Sequence, residues 1–140
     1  FTNKVQLCQA LLDAEQRELQ ARTFARLGSA EPPADLLRWF IGETFAFVNR
    51  NLPLLDVDGL SGGSMLEHPA HQWWRMTIRA LLARANPNLQ ADYAADVLYV
   101  MLDPRTIAFQ RNLLGYDLDR IVSGLFDTLD RLLVCRGGDQ

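Results

Sequence analysis

The sequence predicts an all-α protein, a bundle of about five to six helices. Three observations predict it. Apolar residues recur at spacings of three and four along most of the chain, as one face of an α-helix requires. No stretch keeps up the strict alternation of a half-buried strand. Prolines and glycines gather in clusters that cut the pattern into pieces of helical length.

The first helix runs from about Asn3 to Leu27 and stops at Gly28. Val5, Cys8, Leu12, Glu15 and Leu19 share one of its faces. Glu15 is a carboxylate among core positions, so it must be paired, protonated or solvated. Either it meets an arginine of a neighbouring helix at the core edge, or it lines a cavity and orients a ligand. Glu31-Pro32-Pro33 bars continuation. A second helix follows from about Ala34 to near Asn51. Its face of Leu36, Leu37, Phe40, Ile41, Thr44, Phe47 and Val48 is wide enough to place it centrally, with Thr44 the polar exception.

Residues 52–66 contain Pro53, Gly59, Gly62 and Gly63, and read as a short helical turn followed by a flexible Ser61-Gly62-Gly63-Ser64 loop. A third helix, from about Pro69 to Ala85, carries Trp73, Trp74, Met76, Ile78, Leu81 and Leu82 before Asn86-Pro87-Asn88 ends it. The fourth runs from about Leu89 to Leu102, with Ala94, Ala95, Leu98, Met101 and Leu102 on one face. Asp103-Pro104 starts a further helix through Leu114, closed by Gly115. Asp117 caps the last helix. Leu118, Ile121, Val122, Leu125, Leu129, Leu132 and Leu133 form its continuous stripe, widened by Phe126. Ser123 and Gly124 are small enough to admit another helix, and Gly137-Gly138 falls in a frayed end.

A chain of 140 residues is one domain, large enough to fold without a disulfide or metal. Its net charge of −3, a single lysine (Lys4) and scattered arginines argue against phosphate binding by this segment. Cys8 and Cys135 form no CxxC pair, and Cys8 on an apolar stripe reads as a buried thiol of a reducing, cytoplasmic compartment. No apolar run approaches the roughly 18–20 residues of a membrane span.

Enzyme signatures are weak, and the sequence gives no catalytic, metal or cofactor assignment. In Glu67-His68-Pro69-Ala70-His71 the two histidines share a helix face, but the spacing is not HExxH. They also lie on the side of Arg75 and Arg79, which disfavours a metal. Ser61 and Ser64 lack a GxSxG elbow, and GxGxxG is absent.

A small-molecule pocket is better supported. Trp39, Phe40, Phe45, Phe47, Trp73, Trp74 and Tyr93, with Met65 and Met76, concentrate in the middle of the chain. They either fill the core or line an adaptable apolar cavity. Helical phase then predicts a ligand set of Leu12, Glu15, Leu19, Phe40, Thr44, Phe47, Trp73, Met76 and Tyr93. The last two segments carry more apolar surface than one neighbour covers. They predict a four-helix homodimer interface through Phe109, Leu113, Ile121, Leu125, Phe126, Leu129 and Leu133.

The two ends carry a resemblance. Phe1-Thr2-Asn3-Lys4-Val5-Gln6-Leu7 resembles the segment of TetR-family regulators that follows the recognition helix, an aromatic, a lysine and an apolar residue opening a long helix. Asp103-Pro104 through Gly115-Tyr116-Asp117 and the final leucine-rich helix resemble that family's paired dimerisation helices. The resemblance covers the whole chain, as the C-terminal domain alone. It implies a helix-turn-helix domain ahead of Phe1, a homodimer, a small-molecule effector, and operator DNA contacted only through that preceding domain. It also implies that Lys4 lies near a DNA phosphate and that binding of the effector releases a repressor. The alternatives are a free-standing helical binding protein for an apolar molecule and, behind it, a small helical metalloenzyme using Glu67, His68 and His71.

Overall fold

The computed structural model describes residues 3–55 and 69–134. Among the described residues the chain is helical throughout, with no strand: α1 (Lys4–Leu27), α2 (Pro33–Arg50), α3 (Leu52–Leu55), α4 (Pro69–Ala85), α5 (Ala91–Met101), α6 (Pro104–Ala108) and α7 (Leu118–Leu133). Phe1, Thr2, the Ser61–Ser64 loop with Gly59, Met65, Glu67, His68, Cys135 and Gly137-Gly138 lie outside the described residues, as does the Val5 side chain.

Short polar residues set the helix starts. Asn3 accepts from the Gln6 N–H, Asp103 from the Arg105 N–H and Asp117 from the Arg120 N–H, each at 2.8 Å. Each satisfies a donor that the first turn leaves open. Pro33 opens α2 at a position where its missing N–H costs nothing.

Helix α2 is the central element, packed against α1, α3, α4, α6 and α7. Leu37, Phe40, Ile41, Thr44 and Val48 on it are fully buried. Helices α4 and α5 pack most extensively and run antiparallel. Three polar pairs step along their seam: His71 with Tyr99, Arg75 with Asp96, and Arg79 with Asp92. His71, Arg75 and Arg79 recur every four residues, so they line one edge of α4 as helical phase predicts. The end of α7 is clasped from the α4–α5 turn, where Asn86 Nδ2 donates to the Leu132 carbonyl at 2.9 Å.

One element departs from expectation. After α6 the chain widens into a π turn over Phe109–Leu113, with the Leu114 N–H on the Phe109 carbonyl at 3.1 Å. The Tyr116 N–H then reaches the Gln110 carbonyl at 2.9 Å, and Gly115 turns the chain at φ 71°. The wider turn changes the helical phase. Leu114, which an α-helix would put on the face of buried Ile107, therefore stands exposed, as does Leu113.

Candidate functional site: a polar network inside the bundle

The buried face of α1 consists of Cys8, Leu12, Gln16, Leu19 and Thr23. These residues recur at threes and fours, so they form one stripe. Cys8 is a free buried thiol. Thr23 satisfies its hydroxyl on the Leu19 carbonyl at 2.8 Å, one turn back. Gln16 instead reaches across the core, where its Oε1 accepts the indole N–H of Trp74 on α4 at 2.9 Å.

Trp74 is the hub. The Phe47 ring of α2 meets its ring edge-on at 5.7 Å, and the His71 ring lies 4.4 Å away. His71 Nδ1 shares a 2.9 Å hydrogen bond with the Tyr99 hydroxyl of α5. Burial foremost, and then the negative charge of Asp103, pushes the Tyr99 phenol up to about 12. The chain of contacts Gln16–Trp74–His71–Tyr99 thus runs from α1 through α4 to α5. Its outer end borders a surface cleft of about 380 Å³ that the Arg75–Asp96 pair also lines.

Two buried polar atoms near this hub have no partner: Gln16 Nε2 and Thr44 Oγ1. Thr44 stands on α2 between Phe40 and Phe47, which pack on Trp73 and Trp74 respectively. Most buried polar atoms in folded proteins are paired, so these two, on neighbouring helices α1 and α2, are exceptions.

The predicted ligand set divides accordingly. Leu12, Leu19, Phe40, Thr44 and Phe47 are buried, and Trp73 is partly buried between Phe40 and Phe24. Glu15 is not a cavity-lining group. At the edge of the α1 stripe, its carboxylate accepts from Arg50 Nε at 3.1 Å and Asn51 Nδ2 at 2.6 Å, the core-edge alternative. Met76 and Tyr93 are corrected as well, being 61% and 71% exposed. Met76 lies across α4 from the buried edge of Trp74, Ile78 and Leu81. Tyr93 lies across α5 from Ala95, Leu98 and Leu102. Gln16 was the buried polar residue of α1 that helical phase missed. Its spacing from Leu12 and Leu19 was the available signal, and it competes with adjacent Glu15.

The predicted dimer set also divides. Ile121, Leu125 and Leu129 are buried in the protomer's own core and are not available to a partner. Phe126 and Leu133 are partly buried against that core. Phe109 and Leu113 are exposed, as are Leu114 and Leu118 beside them. A groove of about 290 Å³ runs between the π turn and α7, with Tyr116, Arg120 and Gly124 on its walls.

Among the described residues no group of three or more His, Cys, Asp or Glu is placed to hold a metal ion. Nor is any helix among them long and apolar enough to cross a membrane. No family model, curated protein or solved structure matches this chain.

Proposed function

We propose that this chain is the effector-binding and homodimerising part of a TetR-like transcription regulator, a repressor released from DNA when a small apolar or amphipathic molecule enters the bundle. The observation that carries the reading is the Gln16 amide. It stands on α1, is bonded to Trp74 within the core, and has its Nε2 unpartnered. Helix α1 is also the one that the TetR resemblance joins to a DNA-binding domain, with Lys4 exposed in its first turn. A molecule binding at Gln16 therefore acts on the helix that leads toward DNA. Such a molecule shifts the regulator only by its differential affinity for the two positions of α1. Exposed Phe109, Leu113, Leu114 and Leu118 supply an apolar surface for the second copy.

The test is the coding sequence upstream of the Phe1 codon. An in-frame helix-turn-helix domain running into Phe1 is expected, and a start codon directly before Phe1 overturns the reading. A free-standing binding protein for an apolar molecule is the second reading. It draws on the same unpartnered atoms and needs no upstream domain.

A further inference from the structure

The charges on α7 fix how a second copy can meet it, an inference that rests on the homodimer reading above. Ile121, Leu125 and Leu129 turn one side of α7 into the core. At about 100° per residue, Asp117, Arg120, Gly124, Asp127, Thr128 and Arg131 share the side next to it, and all six are exposed. Asp119 and Asp130 fall on the opposite flank, where Asp130 pairs with Arg38 of α2. The groove of about 290 Å³ opens along the six-residue side, lined by Met101, Ile121 and Leu125, with Arg120 at 3.9 Å over the Tyr116 ring. Gly124 is the midpoint of the set. Asp117 lies seven residues before it and Arg131 seven after; Arg120 lies four before, Asp127 and Thr128 three and four after. Two copies of α7 crossing antiparallel at Gly124 bring positions equally far before and after it together. Asp117 then meets the second copy's Arg131, and Arg120 meets its Asp127-Thr128 corner, each contact made twice because such an interface is isologous. A parallel crossing sets every one of these residues against itself, Asp117 on Asp117 and Arg120 on Arg120, so all the juxtaposed charges are alike.

We infer that the second copy's α7 lies antiparallel across this groove and crosses at Gly124, with Arg131 of each copy paired to Asp117 of the other. Within one protomer Arg131 pairs with Asp127 at 3.1 Å, but the two side chains are 78% and 63% exposed, so the guanidinium exchanges partners at little cost. Asp117 keeps its bond to the Arg120 N–H and takes the new partner on its exposed side. Exposed ion pairs add little affinity, so covering the groove and the exposed Phe109 and Leu113 drives association, while the charges select the orientation.

The experiment has two arms on the intact chain. First, sedimentation equilibrium at low salt compares the parent with Arg120→Glu and with Arg120→Glu/Thr128→Lys. The single variant sets a carboxylate against the second copy's Asp127 at two symmetric places and weakens the dimer about fivefold. The double variant restores the parent's affinity. Positions 120 and 128 lie about 12 Å apart along one helix, so the rescue comes from the other copy. Second, a nitroxide is attached at Arg131→Cys in a Cys135→Ser background, where Cys8 is buried and protected. An antiparallel crossing holds the two labels of the dimer about 20 Å apart or more, as fourteen residues of helix require, and electron–electron dipolar spectroscopy reads that distance. Strong short-range broadening between the labels, an Arg120→Glu dimer as tight as the parent's, or a double variant that stays as weak as the single one each overturns the inference. In those cases the parent is still a dimer and the homodimer reading stands. A parent that is monomeric throughout removes that reading, and this inference with it.

Discussion

The indole N–H of Trp74 donates to Gln16 Oε1 at 2.9 Å where both side chains are shut off from water, and this bond ties α1 to α4 through the core. Gln16→Ala deletes the acceptor and leaves the indole N–H orphaned beside a new cavity. The expected loss is about 2–4 kcal/mol, the sum of an unsatisfied buried donor and a partly collapsed void. Urea unfolding of the two proteins measures it. A loss below about 1 kcal/mol, the range of an ordinary surface change, would show that the bond does not hold α1 in place.

The same residue shows what the sequence could and could not reveal. The helices were legible because their signals are local: Asn3, Asp103 and Asp117 cap where short polar side chains precede apolar runs. Thr44 was legible as the polar member of an apolar face. Gln16 was not, because α1 carries polar residues on every side, and periodicity alone does not separate it from Glu15 next door. Met76 and Tyr93 misled in the opposite sense, since a large apolar side chain is no proof of an inward position. The His71–Tyr99 bond spans two helices and depends on how α4 and α5 register, which no local pattern encodes. The π turn after Ala108 has no signature in its residues either.

Asn86 is buried in the turn between α4 and α5 and works at both ends. Its Nδ2 donates to the Leu132 carbonyl at 2.9 Å, and its Oδ1 accepts the Asn88 N–H at 3.2 Å. The first bond satisfies a carbonyl in the last turn of α7, and the second shapes the turn itself. Asn86→Ala is expected to cost about 1–3 kcal/mol. It also loosens the final turn of α7, which amide hydrogen exchange at residues 130–133 reads directly. Unchanged protection there would rule out the clasp.

Tyr99 gives a pH dependence with a definite sign. Its folded-state value of about 12 exceeds the ordinary phenol value of 10.0. The protonated form is therefore the one that folding favours. This contribution is fully present below pH 10 and is lost as pH rises from about 10 to about 12. It amounts to something on the order of 2 kcal/mol. Stability measured across that window is expected to fall more steeply in the parent than in Tyr99→Phe, which has no phenol to ionise. Parallel curves for the two proteins would remove Tyr99 from the account.

Two glycines separate the protomer from the proposed dimer. At Gly42, inside α2, an added Cβ would lie 3.4 Å from Phe126 Cζ, the near edge of ordinary contact. At Gly124, exposed on α7 beside the groove, it would meet nothing within 4 Å in the protomer. Alanine within a helix is favoured over glycine by roughly 0.5–1 kcal/mol, so both substitutions are expected to stabilise the isolated protomer. Their effects diverge if α7 of a second copy packs closely on the small-residue face of Ser123 and Gly124. Gly124→Ala then holds the two helices apart and weakens the dimer by about tenfold or more, as interface overpacking of 1–3 kcal/mol implies. Gly42→Ala leaves association unchanged. Leu113→Glu, which charges a side chain 73% exposed in the protomer, dissociates the dimer without harming the fold. Sedimentation equilibrium on the three variants decides the matter. A parent that is monomeric at all accessible concentrations, or a Gly124→Ala variant that associates as the parent does, would place the partner surface elsewhere than on α7.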